Sequence, residues 1–581
     1  MCGIFVVIPK KDKKLDIDRC TKSLRELKRR GPDWSFYKVI ENIFFGQTIL
    51  SMTGKNEKNI DNHFSNSKKY FLVFNGEIYN YKNISSSTPI NKNISDTKVL
   101  IDLFDGNDPR VINSKLDGMY AYIVLDKEKK KLFISRDPQG EKSIYKYENS
   151  DYIIFSSEIK PIIQFTGDNE LNEDIIKSYF LSRHFIQFDK TIYKKIKNIQ
   201  PGEFWEYSIN SKKLKKTNTL SIRSYVNEKD YKINDKKSEN DLVEELDYLL
   251  QKNLKEMTPK NRNFSSIISG GVDSSLISIL LKNLSKSKNF ITLNHIGKDR
   301  ISNKVKLFEK YLENPIFKIN VSKTDYKNYL LKSVNICSSP VSSHDFSGKL
   351  IIAKKTNEMN CKAVFGGDGA DELFGGYATY LQPIKDIKKN LSDYSRINYS
   401  SLLGKNYKNN FYEKKLEKDW RQCLKVYNFL NNKTEQNRQA MMLMDSSLQL
   451  SSVGLRGCDL MSMHYSIEPR SVFLRKSIIK FALNLPIRFK LSNNQNTKLK
   501  TKVLLKKLFL KYYPEKLLFK KQGFAGFPNE MKRYLGESKK YRIKKMINID
   551  NFDKRFKKLR PAEIWKVLNL EFFIRDLNKK I

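Results

Sequence analysis

The sequence predicts two domains, an α+β sandwich followed by an α/β domain built on a parallel sheet. Three observations carry this. At 581 residues the chain exceeds what one hydrophobic core supports. Its first two hundred residues repeat short apolar segments of strand length: "IFVVI", "NIFFGQ", "YFLVFNGEIYNY", "GMYAYIVLD", "KLFISRD" and "YIIFSSE". Polar tips such as "KEKKK" join them as hairpins. Further on, "NFSSIISGGVDSSLISILLKNL" (263–284) reads strand, glycine turn and apolar helix, the opening of an α/β unit. A lysine-rich polar stretch, 208–240, is the expected linker.

Composition narrows the class. Hydrophobic residues make up 39% and aromatic residues 12% of the chain, enough to bury cores and exclude a disordered protein. No stretch reaches the roughly 18 consecutive apolar residues that span a bilayer. The six cysteines are scattered without CxxC pairs. That pattern argues against a disulfide framework or zinc site and for a reducing, cytoplasmic compartment. The net charge of +44 is spread over plain loops such as "NSKKY", without an Arg/aromatic cluster. It reads as solvated lysine faces rather than a nucleic-acid surface.

The chain opens "MCGIFVVIP". The apolar run is too short for a signal peptide and lacks a basic leader. Removal of Met1, favoured by the small residue after it, would leave Cys2 with a thiol and a free α-amine. Such an amine has a pKa of about 7.7–8, suited to proton transfer near neutral pH. Nucleophile and base would then share one residue. Next, "DRCTKSLRELKRRGPD" reads as a helix closed by Gly31-Pro32. In "NGEIYNY" (75–81), the Asn75 side-chain amide and the Gly76 backbone N–H can hold a developing oxyanion. An Asn-Gly turn is the plain alternative.

In the second domain, "SGGVDSS" (269–275) is a phosphate cradle made of backbone N–H groups at a helix start, and no "GK[ST]" follows to make it a Walker A loop. "FITLNHIGKD" and "PIFKINV" extend a parallel sheet, and "CKAVFGGDGADELFGGY" (361–377) runs from a strand into an acidic glycine loop fit for a hard cation.

Cys2 with "RGPD", "NGE" and "RDPQGEK" resembles the class II glutamine amidotransferase domain, of the N-terminal nucleophile type. "SGGVDSS" with "GDGADE" resembles the PP-loop (ATP-pyrophosphatase) domain of glutamine-hydrolysing asparagine synthetases, and the combined resemblance runs from Cys2 to about Pro528. It implies a glutaminase domain at 2–207, a linker at 208–240, a synthetase domain at 241–530 and a helical tail at 531–581. It further implies that Cys2 attacks the glutamine carboxamide, that Asn75 and Gly76 form the oxyanion hole, and that Glu77 and Asp96 grip the glutamine ammonium. ATP would lie on Ile268, Ser269, Gly270, Gly271, Asp273, Ser274, Ile296, Gly366 and Gly367. Mg²⁺ would lie on Asp273 and Asp371, while Asp368 serves intermediate formation and Lys502 of "KTKVLLKKLF" approaches the α-phosphate. "DLMSMHYSIEPRSVFLRK" matches the family's E-x-R-x-P-F-L-D region, and "KKQGFAGFP" its basic-glycine-aromatic ending. The partners implied are small molecules and a second copy of the chain, with no nucleic acid and no membrane span.

Three departures qualify the resemblance. "GQTILS" (46–51) puts Ile49 where the family carries the arginine for the glutamine carboxylate, a loss of about 1.5–3 kcal/mol that Arg30 is placed to offset. The stretch 338–355 lacks the usual "DPS…P" arrangement, and Val472 and Arg475 replace the proline and aspartate of "PFLD", positions expected to support the acceptor pocket. Aspartate is the expected acceptor. The alternatives are another carboxylate, such as a sugar acid of surface-polysaccharide synthesis, and a non-catalytic metabolite-binding relic.

Overall fold

In the computed structural model the described residues are 2–10, 13–53, 58–85, 94–181, 185, 188–285, 289–295, 304–341, 343–382, 410–492, 498–519, 542–543, 552–559 and 561–579. Strand β1 (Cys2–Pro9) is central in an antiparallel sheet with β2 (Trp34–Ile40), β3 (Ile43–Ile49), β7 (Tyr145–Glu148), β8 (Tyr152–Ser156) and β9 (Ile196–Asn198), in the order β2-β3-β1-β8-β7-β9. A second sheet holds β4 (Tyr70–Ile78), β5 (Gly118–Asp126), β6 (Lys131–Arg136), β10 (Glu203–Ser208) and β11 (Lys213–Thr219), ordered β11-β10-β6-β5-β4.

Alternation along the strands assembles four layers. Ile4, Val6 and Ile8 of β1 join Phe71 and Val73 of β4 in the core between the sheets. Phe5 and Val7 turn the other way, onto Cys20 and Leu24 of the helix Ile17–Arg25. Likewise Leu72 and Phe74 face Leu100 and Phe104 of the helix Asp96–Gly106. Covered on both faces, β1 and β4 are buried throughout, so they read as near-continuous apolar runs. The helix that begins at Ile17 ends at Arg25, earlier than its Gly-Pro stop. The chain then tightens through Lys28 N to Arg25 O (3.0 Å) and Arg30 N to Leu27 O (2.9 Å). These turns swing the Arg30 side chain inward, where it is 1% exposed.

The stretch 208–240 holds the edge strand β11, a 3-10 turn at Ile222–Tyr225 and the helix Glu228–Lys236, capped by Asn227. Its lysines hid the strand because edge strands are commonly charged, which discourages pairing with other chains.

The second domain carries β12 (Phe264–Ile267), β13 (Phe290–His295), β14 (Ile316–Val321), β15 (Ala363–Gly366) and β16 (Glu468–Ser471), all parallel, in the order β14-β13-β12-β15-β16. One apolar cluster crosses from domain to domain. It joins Tyr179 and Ile192 to Leu330 and Phe346, and to Trp565, Leu568 and Phe573 of the last helix, Pro561–Lys579. That helix is stitched down at both sides, with Lys566 donating to Tyr179 O (2.7 Å) and Asn569 to Val341 O (3.1 Å). None of the described helices is long and apolar enough to cross a membrane.

Candidate active sites

Cys2 stands at the start of β1, opposite Ile49 of β3 in the antiparallel register. Its backbone nitrogen donates to Asn75 Oδ1 (3.1 Å), and the Asn75 amide NH₂ donates to Ser157 Oγ (3.5 Å). Ser157 is fixed in turn by Ile4 N (3.0 Å). Gly76 is required by close approach, since a Cβ there would overlap Met119 O of β5. Gln47, the unusual second residue of "GQTILS", accepts from Phe74 N (3.0 Å) and donates to Phe74 O (2.9 Å). It thereby fastens the residue just before Asn75.

A cavity opens on Cys2, Ile49, Gly76, Glu77, Asp96 and His63. Asp96 is oriented by Ile78 N and Thr53 Oγ1, both at 2.9 Å. Burial raises its pKa, and these hydrogen bonds oppose the rise. No described residue lining this cavity is Lys or Arg. His63 adds no charge at neutral pH, because burial pulls it down to about 4. Arg30 does not line the cavity. Its guanidinium is committed to Cys2 O (3.1 Å), Glu158 (3.0 Å) and Asp459 (2.9 and 3.0 Å). The expected offset for Ile49 is therefore absent from Arg30, because a buried guanidinium already bound by two carboxylates has no fork left to present.

Glu77 is ion-paired with Arg470 of β16, which also donates through Nε to Glu468 (2.6 Å). Burial, reinforced by Glu468, pushes Glu77 well above the ordinary carboxylate range despite Arg470. Glu468 goes the other way: burial would raise it, but Arg470 holds it low.

A second cavity reaches from Lys142, Asp459 and Arg470 to Ile267, Gly366 and Asp368. Arg470 lines this cavity and Glu77 the first, so their ion pair is part of the wall between them.

The loop after β12 is the next element along. Ile268 N bonds Ile291 O (2.9 Å), and Gly270 turns the chain in the left-handed region (φ 75°). Ser274 Oγ accepts from Ser269 N (3.0 Å), holding the turn closed onto the helix Val272–Ser285. Gly367 abuts this loop, because a Cβ on it would lie 2.8 Å from Asp273 Cβ. Gly366 ends β15 beside it. Lys502, in the left-handed conformation (φ 54°) before the helix Val503–Tyr512, puts its ammonium 2.5 Å from Asp273 Oδ2 and 2.6 Å from Asp371 Oδ1. Burial alone would lower Lys502, but the two carboxylates hold it above its ordinary value. A non-glycine residue at positive φ costs about 1–3 kcal/mol and concentrates at functional sites. The carboxylate pair fits a hard divalent cation, since a cationic ammonium already stands between two oxygen donors. Of the residues expected here, Ile296 lies outside the described residues, as does "KKQGFAGFP".

Gly376 guards the triad. A Cβ there would overlap Asp371 Oδ1 and Lys502 Cε. Gly376→Ala is expected to lower ATP–pyrophosphate exchange about a hundredfold, the scale of an ångström's misplacement. Exchange at the unaltered rate would contradict it.

The expected acceptor-pocket role of Arg475 is corrected. Its guanidinium bonds Asp117 (3.1 and 2.8 Å) and Glu256 (3.0 Å) and lies over the Tyr79 ring (4.5 Å), clamping the domains together. Sequence reasoning missed Ser157, Lys142 with Asp459 (3.4 Å), and the pairing of Arg470 with Glu77. The arginine was visible in "EPRS"; its partner was not.

The chain matches the glutamine amidotransferase domain family over residues 1–218 and the asparagine synthase family over residues 245–571. It is similar to three proteins of Bacillus subtilis (strain 168). It is 26% identical to asparagine synthetase [glutamine-hydrolyzing] 1, over 92% of this chain and 88% of that one. It is 24% identical to asparagine synthetase [glutamine-hydrolyzing] 2, over 61% and 49%. It is 22% identical to asparagine synthetase [glutamine-hydrolyzing] 3, over 90% and 86%.

Proposed function

Because the chain belongs to the asparagine synthase family, we propose that it is a glutamine-dependent carbon–nitrogen ligase that makes asparagine from aspartate. The observation that carries this reading is the presence of three sites in one chain. A nucleophile cavity at Cys2 and an interdomain cavity meet at the Glu77–Arg470 pair, and a carboxylate–lysine triad stands beside the PP-loop.

Cys2 attacks the glutamine carboxamide, and its α-amine, once Met1 is removed, takes the thiol proton. Asn75 Nδ2 and Gly76 N–H stabilise the oxyanion. Glu77 and Asp96 receive the glutamine ammonium. Glutamate leaves after hydrolysis of the thioester, and the ammonia passes the Arg470–Glu77 wall into the interdomain cavity. A path that excludes water keeps ammonia unprotonated.

ATP, the family's nucleotide substrate, lies on Ile268, Ser269, Gly270, Gly271, Asp273, Ser274, Gly366 and Gly367. Asp273 and Asp371 would hold Mg²⁺, which neutralises pyrophosphate charge. Lys502 supplies positive charge at the α-phosphate as the acceptor carboxylate bonds to it and pyrophosphate leaves. Asp368 assists formation of that acyl-adenylate, and ammonia then displaces AMP. The reading includes a cytoplasmic location, supported by six cysteines outside any disulfide. A homodimer follows from the family resemblance.

ATP–pyrophosphate exchange tests the reading: aspartate should drive it and glucuronate should not. The reverse result favours a sugar-acid amidotransferase, and no exchange with either favours the relic. Ile49 makes a separate prediction. Ile49→Arg should lower the KM for glutamine about tenfold to a hundredfold, the worth of one charge-assisted hydrogen bond, while ammonium kinetics hold. An unchanged glutamine KM would mean that the carboxylate already has a cation.

A further inference from the structure

Building on the ligase reading above, we infer that Lys349 binds the non-reacting carboxylate of the acceptor, with Asp368 receiving the acceptor's ammonium, so that the interdomain cavity selects an α-amino acid. The cavity is placed for a ligand. Ile267, Gly366 and Ser471, at the carboxyl ends of β12, β15 and β16, line one side of it, the position where open α/β sheets bind substrates.

Its charges sort themselves by partner. Lys142 and Asp459 belong to the interdomain pairing with Arg30, and Arg470 to Glu77 and Glu468. Burial pushes Glu141 well above the carboxylate range, so it contributes little negative charge. Lys349 and Asp368 line the cavity as a pair 3.4 Å apart, with Lys349 also bound to Asp345 (3.1 Å). Asp368 is anchored through its backbone, since Ser471 Oγ donates to Asp368 O (2.5 Å).

Lys349 is held from behind. It sits in the helix Asp345–Glu358, pairs with Asp345 (3.1 Å) one turn earlier, and donates to Gly454 O (2.8 Å). Gly454 belongs to the π-helical segment Asp445–Leu455, a rare backbone form that is frequent at functional sites. Burial would lower Lys349, but Cys458, Asp345 and Asp368 together hold it well above its ordinary value, so it is a cation at working pH.

One cation and one anion side by side complement a zwitterion. The α-carboxylate of aspartate can take Lys349 and its ammonium Asp368, leaving the β-carboxylate to turn toward the PP-loop. A uronic acid brings no ammonium to set against Asp368, so it forgoes one of the two charge pairings that aspartate makes. Lys349 also falls inside 338–355, the stretch where this sequence departs from the common pattern.

The test is ATP–pyrophosphate exchange by the full-length chain with aspartate, succinate (no ammonium), β-alanine (no α-carboxylate) and glucuronate. In the wild type, kcat/KM for aspartate should exceed that for succinate and for β-alanine by about tenfold or more. Lys349→Met should raise the aspartate KM about tenfold to a hundredfold with a smaller change in kcat, and Lys349→Arg should return it to within a few-fold of wild type. Two results overturn the assignment: an unchanged aspartate KM in Lys349→Met, or a loss confined to kcat, which would make Lys349 a support for Asp368. A wild type that exchanges without aspartate removes the parent reading, and this one with it. Because KM is independent of the fraction of enzyme folded, partial misfolding of the variant does not mimic the expected result.

Discussion

Cys2→Ala is expected to abolish glutamine-dependent amidation, by about 10⁴-fold or more as for loss of a catalytic nucleophile, while amidation from ammonium continues. The separation follows from structure. Cys2 faces a cavity walled by Gly76, Glu77 and Asp96, whereas Lys502, Asp273 and Asp371 meet in the other domain. Ammonia supplied from solution needs no sulfur. The substitution removes one small side chain, leaves the Cys2 N to Asn75 bond in place, and so preserves the oxyanion donors. Rates of both reactions, measured on one preparation, check it. Equal loss of the two would contradict a division of labour. Equal glutamine rates in wild type and variant would mean that Ile49 has already silenced the first site.

Lys502→Met is expected to reduce ATP–pyrophosphate exchange by about 10²–10³-fold, the usual loss when a donor aimed at developing charge is removed. A second consequence is physical rather than chemical. The ammonium lies between two carboxylates 15% and 16% exposed, and without it they repel. Breaking a buried pair by removing one partner costs about 3–5 kcal/mol, so the melting temperature should fall by several degrees. Added Mg²⁺ should restore part of that loss in the variant, since a divalent cation takes the vacated position between the oxygens. Because Lys502 is held above its ordinary value, its stabilising charge is fully present at neutral pH and is lost only as pH rises through that raised pKa. A variant with full exchange and an unmoved melting curve would show that Lys502 serves neither purpose.

The parts that sequence made legible share a property: each is contiguous. "SGGVDSS" names its own strand, turn and helix start, and "NGE" lies within β4 itself. The short unbroken apolar runs "IFVVI" and "YFLVF" likewise announced β1 and β4, each covered on both faces. What stayed hidden was pairing across the fold. Arg470 meets Glu77 from 393 residues away and Arg30 meets Asp459 from 429 away. Neither spacing nor composition carries that information, because buried partners are chosen by tertiary geometry. Arg475 illustrates the cost. Its position in the motif suggested the acceptor pocket, yet its charge is spent on Asp117 and Glu256 at the domain boundary. Lys349 illustrates the opposite: one lysine among very many in the chain, distinguished only once its ammonium is found between Asp345 and Asp368.

The transfer of nitrogen between the two domains is open to one direct measurement. Glutamine labelled with ¹⁵N at the amide, supplied with MgATP, aspartate and a large excess of unlabelled ammonium at a pH where little of it is free ammonia, should yield asparagine labelled mainly with ¹⁵N. Asparagine whose label matches the bulk ammonium pool, or labelled glutamine consumed with no labelled product, would contradict internal delivery from Cys2 to the ATP-activated carboxylate.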